Sequence, residues 1–334
     1  MAKSLADAMM SAIGGNDEHQ AVSVWLDTGF KPLNKAISSM YNGGAPCSRI
    51  IEIFGGESCG KTAIATQIMI SAQRAGGIAC FMDHERSFDV RLAQKLGLNT
   101  DPNSWVFKTP RTFEQSMDNA KKIAYAIREN KFIEDEAPIV IVFDSLASMV
   151  PMQKLDKDAE DFNMNDNTAL ARCTSASFPA LAQICEENNM LAIFLNQIRE
   201  KIGVMYGDKT SSPGGNAPRF YASVRIKLTR SQITGSDKKE KIGQRVTAEC
   251  VKNKVSAPFK KVEWDFLYMP DGSGKFDVIG SSIDYLIDVG LLEQPSKGYI
   301  AWDGKKYRRN QLRALALREP EVWKEIEALM VDDE

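Results

Sequence analysis

The segment Gly55-Gly56-Glu57-Ser58-Cys59-Gly60-Lys61-Thr62 fits the spacing G-x-x-x-x-G-K-[ST]. Each residue type in it has a physical task. Gly55 and Gly60 let the backbone turn sharply and present its N–H groups to a polyphosphate. The strand-like run Ile50–Phe54 leads in, and a helical-looking segment, Ala63 to Arg74, leads out. That is the context the motif requires, and the helix N-terminus adds its positive dipole end to the same anion. Lys61 can reach the β and γ phosphates, and the Thr62 hydroxyl can ligate Mg²⁺. Glu57, Ser58, Cys59 and Ala63 complete the expected nucleotide-binding set.

Three further strand ends carry polar chemistry. The apolar run Ile139–Phe143 ends in Asp144, which is expected beside the phosphate loop, holding Mg²⁺ directly or through water. Phe81-Met82-Asp83-His84-Glu85 brings a carboxylate pair to a neighbouring strand tip. Either carboxylate could orient and deprotonate an attacking water. His84 reads as solvated or structural. Leu195-Asn196-Gln197-Ile198-Arg199 ends another apolar run in two amides and an arginine, and neutral amides suit a γ-phosphate sensor. Glu200 to Pro218 then shows no periodicity over a length that usually marks a functional loop. Gly214 and Gly215, with Arg199, Lys201, Lys209 and Arg219 nearby, suit a sugar–phosphate backbone.

The elements that must position these groups follow from periodicity. Short apolar strands at 50–54, 78–82, 105–108, 138–143 and 191–195 are separated by amphipathic helical stretches, notably Phe113–Glu129 and Ala169–Glu187. Such alternation implies an α/β fold with a mostly parallel central sheet covered on both faces. After Pro213 longer alternating strands (222–229, 245–251, 262–267) predict an antiparallel extension, two of them joined by the Lys-rich link Gln232–Lys241. Helices return at 279–289, 307–317 and 321–330 around a hairpin at Tyr299–Lys306. The break at Met269–Gly274 sets the expected boundaries: 1–20 an N-terminal helix or oligomerisation arm, 21–269 the core, and 270–334 a small α+β C-terminal domain.

Composition narrows the class. With 334 residues, 43% hydrophobic and 26% charged, and a net charge of −2, the chain has the makeup of a globular protein, and it does not bind polyanions by bulk charge. The six cysteines form no C-x-x-C pair, so no zinc site is expected. No apolar run is long enough for a membrane span, and the expected compartment is the cytoplasm.

In order along the chain, these motifs resemble those of the bacterial RecA recombinase family. The runs that carry the likeness are 55–62, Phe-Met-Asp-His-Glu at 81–85, Val-Phe-Asp-Ser at 142–145 and Asn-Gln-Ile-Arg-Glu-Lys-Ile-Gly-Val-Met at 196–205. Gly-Gly-Asn-Ala at 214–217, Phe-Tyr-Ala-Ser-Val-Arg at 220–225 and Val-Lys-Asn-Lys-Val-Ser-Ala-Pro-Phe-Lys at 251–260 complete them. The resemblance implies a RecA-like P-loop ATPase core and an ATP- and Mg²⁺-dependent DNA recombinase. Such a protein forms a homo-oligomeric filament (in some states a ring) on single-stranded DNA and pairs it with homologous duplex. It further implies Glu85 as the water-activating base, Gln197 as the γ-phosphate sensor, and Lys252 and Lys254 reaching the ATP of the next subunit. Asp89 and Tyr268 would contact the base. The two DNA loops would span about 154–168 and 202–216, with Arg172, Ser175, Arg199, Ile202, Gly214, Gly215 and Asn216 at the DNA.

Several positions depart from the family pattern. The first loop is acidic at Asp156–Asp161, and Pro179 stands where the family has a basic DNA contact. Leu92 replaces the aromatic ring that stacks on adenine. The acidic tail is reduced to Val331-Asp332-Asp333-Glu334, and the N-terminal segment matches weakly. These are departures of a divergent or phage-encoded member. The alternatives are a hexameric helicase-like ATPase on the same core, or a poorly hydrolysing recombination accessory protein.

Overall fold

A computed structural model describes residues 21–155, 164–200, 210–211, 213–235, 240–269 and 274–332. The expected N-terminal arm, most of both DNA loops, Ile202 and the break at 270–273 lie outside these residues. A nine-stranded sheet organises the chain. Its strands are β1 (Ile50–Gly55), β2 (Ile78–Asp83), β3 (Trp105–Lys108), β4 (Ile139–Asp144), β5 (Met190–Gln197), β6 (Val224–Thr234), β7 (Lys241–Asn253), β8 (Lys261–Tyr268) and β9 (Gly274–Phe276). Their spatial order is β9-β8-β7-β6-β1-β5-β4-β2-β3. From β6 to β3 every pairing is parallel, and from β6 to β9 every pairing is antiparallel. The mostly parallel sheet with an antiparallel extension is as the sequence predicts.

The strand period of two explains why the sheet is buried on both faces. On β4, Val140 and Val142 join one apolar cluster, while Ile139, Ile141 and Phe143 join the other. Helix α1 (Lys31–Ser38) and helix α2 (Lys61–Arg74) cover the first face, through residues such as Leu33, Ile64 and Ile68. The short helix α3 (Val90–Leu96) packs against α2. Helices α4 (Phe113–Glu129) and α5 (Met164–Glu187) cover the second face through Phe113, Ala120, Phe178 and Leu181. Helix α5 continues past Pro179, although a proline costs a helix interior about 3 kcal/mol. The neighbouring Phe178 is fully buried, its ring 4.8 Å from Phe194, and Phe194 stacks at 4.5 Å on Phe143. Each such burial is worth about 1.5–3 kcal/mol, so packing on the sheet offsets the proline.

A third apolar cluster joins α6 (Val278–Asp288), α7 (Arg309–Arg318) and α8 (Pro320–Glu327) with the Ile300–Trp302/Lys305–Tyr307 hairpin. Tyr41 of the core inserts into it, and its hydroxyl lies 3.1 Å from that of Tyr285. Charge ties the same segment to the sheet: Arg245 on β7 lies 3.9 Å from Asp284 on α6, and Arg309 on α7 lies 3.7 Å from Asp265 on β8. Within the sheet Arg245 grips Asp265 at 2.7 and 3.0 Å, and within the segment Arg309 grips Asp284 at 2.7 Å twice and Arg313 Nε reaches both oxygens of Asp277 at 2.7 and 2.9 Å. The antiparallel strands exceed their expected ends: β6 reaches Thr234 and β7 starts at Lys241, which shortens the expected Lys-rich link. Continuous ladder hydrogen bonds from Ile226 to Ile233 stabilise polar residues there that periodicity assigns to a loop.

Candidate active site

The phosphate loop joins β1 to α2 at the C-terminal edge of the parallel strands, where such sheets bind ligands. Gly55 is required by a close approach: a Cβ there would lie 2.3 Å from the Leu228 carbonyl oxygen of the adjacent β6. Gly60 has φ +88°, the left-handed region that favours glycine, and it starts α2 without a side-chain cap. The first N–H groups of α2, at Lys61, Thr62 and Ala63, are thereby aimed at an anion. Lys61 Nζ donates to the Gly56 carbonyl at 2.7 Å and to that of Gly55 at 3.3 Å. Cys59 is buried, with its Sγ donating to the Gly56 carbonyl at 3.0 Å, and burial raises its thiol pKa.

Asp144 lies beside the loop, yet its strand is not the neighbour of β1, because β5 runs between them. The reach comes from α2: Thr62 Oγ1 donates to Asp144 Oδ2 at 3.0 Å. Burial, then the charge of Glu85, pushes the Asp144 carboxyl up to about 6. Two hard oxygen donors at this separation suit Mg²⁺, whose charge would relieve that penalty.

Glu85, just past the end of β2, accepts from Ser145 Oγ at 2.5 Å and from Gln197 Nε2 at 3.0 Å. The two residues assigned to water activation and sensing are therefore in direct contact. Asp83 is committed elsewhere: it is buried, and its carboxylate accepts from the backbone N–H groups of Arg86, Ser87 and Phe88 at 2.7–3.4 Å. His84 is structural. Its Nε2 lies 2.6 Å from Ser116 Oγ on α4, and burial, then the Arg86 charge, lowers its pKa to about 4.

A cavity of about 910 Å³ extends from the loop to Leu92, Leu96 and Tyr268, and Glu57, Ser58, Lys61, Thr62, Glu85, Asp144 and Gln197 line it. Asp89 is not among the lining residues, because its carboxylate caps α3, accepting from Leu92 N at 3.0 Å. Among the lining residues that no sequence motif marks are Gln244 and Arg230. Gln244 Nε2 donates to the Ser58 carbonyl at 3.0 Å, and Arg230 Nη1 donates to Gln244 Oε1 at 3.3 Å. Both stand on antiparallel strands far along the chain, and only the β1–β6–β7 pairing brings them over the loop.

Lys252 and Lys254 are not among the residues lining the cavity of their own chain. Lys252 Nζ donates to the carbonyls of Arg219 and Phe220 at 2.5 and 2.8 Å, and burial, then Lys254 and Arg225, lowers its pKa to about 8. Lys254 stands one residue beyond the end of β7, so the strand alternation expected to align it with Lys252 stops short of it.

Behind the site, Glu52 on β1 is fully buried between Arg225 Nε at 2.6 Å and Asn196 Nδ2 at 2.8 Å. Asn196 also donates to the Pro213 carbonyl at 3.1 Å, joining the end of β5 to the Gly-Gly turn. There Gly214 (φ +91°) accepts from buried Thr174 Oγ1 at 2.8 Å, and Gly215 (φ +67°) abuts α5 at Ala171. Asn216 begins the short helix Ala217–Tyr221, Ser175 Oγ donates to the Ala171 carbonyl at 2.8 Å, and Arg172 is also on α5. The backbone of Arg199 pairs with Ser211. The expected DNA positions on α5 and the Gly-Gly turn therefore adjoin one another.

The model of the RecA N-terminal domain matches residues 2–273 of the chain. Proteins named Protein RecA are similar over nearly its full length. That of Bacteroides thetaiotaomicron is 36% identical over 95% of this chain and 90% of its own. That of Desulforapulum autotrophicum is 34% identical over 94% and 84%, and that of Mycobacterium avium is 36% identical over 94% and 83%. With the loop, the acidic strand ends and the sheet order in place, the chain belongs to the RecA family of DNA recombinases and DNA-dependent ATPases.

Proposed function

We propose that this chain binds ATP and Mg²⁺ at the Gly55–Thr62 loop, polymerises on single-stranded DNA and pairs it with homologous duplex. One observation carries the reading: Lys61, Thr62, Asp144, Glu85 and Gln197 come from four separate segments and line one cavity. Lys61 and the α2 N-terminus bind the phosphates, and Thr62 and Asp144 would hold Mg²⁺, which supplies charge neutralisation at the γ-phosphate. Glu85 takes a proton from the attacking water as the water oxygen bonds to the γ phosphorus and ADP departs. Gln197 senses the γ-phosphate. Its neighbour Asn196 gives that signal a route to Pro213 and the Gly214–Asn216 turn, which with Arg172, Ser175 and Arg199 would face DNA.

Lys252 and Lys254 of one subunit would reach the nucleotide of the next, which makes each loop half a site. Residues 1–20 would serve as the oligomerisation arm, 21–269 as the core and 270–334 as a C-terminal domain, in a cytoplasmic protein. No helix among the described residues is long and apolar enough to cross a membrane.

The test is ATPase activity with and without single-stranded DNA, followed by D-loop formation with the same preparation. Lys61→Ala is expected to lower both by at least about 100-fold, the scale for removing a charged transition-state contact. Strong DNA stimulation of the wild-type ATPase without D-loops would overturn the recombinase reading.

A further inference from the structure

Glu85 has two carboxylate oxygens, and the structure treats them differently. Oε1 accepts from Ser145 Oγ at 2.5 Å and Gln197 Nε2 at 3.0 Å, with Ser148 Oγ at 3.5 Å. No hydrogen bond reaches Oε2 from the described residues. Ser145 is fully buried and occupies the N-cap position of the 3₁₀ turn Leu146–Ser148. A serine there ordinarily spends its hydroxyl on the turn's own backbone N–H groups. This one makes no side-chain cap and donates to Glu85 instead. Its backbone follows Asp144 directly, so the group that orients Glu85 is anchored to the strand end that meets Thr62.

From this we infer that Ser145 is a positioning residue for hydrolysis. Its hydroxyl, with the Gln197 amide, holds Glu85 by Oε1 and leaves Oε2 as the oxygen that accepts the proton from water. A charge-assisted hydrogen bond of this kind is both short and directional. General-base assistance falls steeply when the base leaves hydrogen-bonding distance of its proton. Gln197 is a long side chain that also faces the nucleotide cavity. Ser145, short and buried, is therefore the fixed half of the clamp. Ser148 touches Glu85 only at the edge of hydrogen-bonding distance and is the weaker contact.

The inference rests on Glu85 as the base, and the experiment separates the two. Ser145→Ala, Ser148→Ala, Glu85→Gln and the double variant Ser145→Ala/Glu85→Gln are made in the full chain. DNA-stimulated kcat, KM for ATP, affinity for a fluorescent ATP analogue and thermal midpoint are measured for each. Ser145→Ala is expected to lower kcat about tenfold, with KM and analogue affinity within twofold of wild type, while Ser148→Ala changes kcat less than threefold. In the Glu85→Gln background the serine substitution should have no further effect, because both act through one base. A merely structural serine would lower affinity and midpoint and would add its loss to that of Glu85→Gln.

Should the alanine variant fail to fold, Ser145→Cys, close in shape and a far weaker donor, carries the same comparison. Wild-type kcat in a folded Ser145 variant beside an inactive Glu85→Gln overturns the positioning role alone. Rapid turnover by Glu85→Gln overturns the base assignment and the positioning role with it.

Discussion

Removing the guanidinium of Arg225 should strand a buried carboxylate in the middle of the sheet. Glu52 lies in the central strand, fully buried, with Arg225 Nε at 2.6 Å from one oxygen and Asn196 Nδ2 at 2.8 Å from the other. Arg225 also lies over the Phe54 ring, 4.5 Å from its centroid. Arg225→Ala leaves a buried carboxylate with one neutral donor, a change that costs about 3–5 kcal/mol. The lost cation–π contact adds about 1 kcal/mol. The assay is urea unfolding in the absence of nucleotide and DNA, followed by far-ultraviolet circular dichroism.

The control is the double variant Glu52→Gln/Arg225→Ala, in which no charge is stranded. It should recover about half of the loss, since the amide can still accept from Asn196. An Arg225→Ala variant within about 1 kcal/mol of wild type would refute the reasoning. So would a double variant less stable than the single one. A second readout follows from the Asn196–Pro213 hydrogen bond: the stranded carboxylate should disturb this link and weaken DNA stimulation of the ATPase more than basal turnover.

Two more predictions concern charge elsewhere. Because burial, then Glu85, pushes the Asp144 carboxyl up to about 6, well above the usual aspartate range, the native state holds this proton more tightly than the unfolded chain does. The group's contribution is therefore most favourable below about pH 4 and is lost as pH rises through 6, by about 3 kcal/mol at most. In EDTA, Asp144→Asn should thus gain stability over wild type between pH 4 and 7 by denaturant unfolding, and a flat difference across that range would count against it. At the C-terminal helices, Asp277 is buried, caps α6 through Gly280 N, and is gripped by Arg313. Arg313→Leu should cost about 2 kcal/mol, read as a lower thermal midpoint, and Arg313→Lys should restore only part, because the Nε–H shared between the two Asp277 oxygens belongs to a planar group whose placement a flexible ammonium does not reproduce; full restoration by lysine would refute that role of the guanidinium.

Much of this was legible in the chain. The phosphate loop, the apolar strands and the carboxylates and amides that end them are local patterns, set by spacing and by the period of a strand or helix. Phe113–Glu129 and Trp105–Lys108 begin and end where periodicity places them, and in the structure Thr112 caps that helix by accepting from Gln115 N. What spacing cannot carry is strand order. That β5 intervenes between β1 and β4 depends on how the crossovers pack, and Asp144 meets Thr62 across it because α2 packs over β5 onto β4. The same holds for Gln244 and Arg230, which no motif marks and which three-dimensional pairing alone brings to the loop.

By itself, then, the sequence determined which groups are available: a glycine-rich loop suited to polyphosphate, a hydroxyl and a carboxylate suited to Mg²⁺, a carboxylate pair suited to a base and amides suited to a sensor. Tertiary structure decided how each is spent. It committed Asp83 to three backbone N–H groups and left Glu85 facing the cavity, a choice the two adjacent carboxylates leave open in the sequence. It turned Asp89 into a helix cap, and it gave Glu52 the partners that let a charge sit in the central strand. A polar side chain's role is fixed by which partners remain for it once the backbone is buried. For Asp83 and Asp89 these are N–H groups a few residues on that a turn or a helix start leaves unpaired, and for Glu52 and Glu85 they come from distant segments that only the folded sheet brings together.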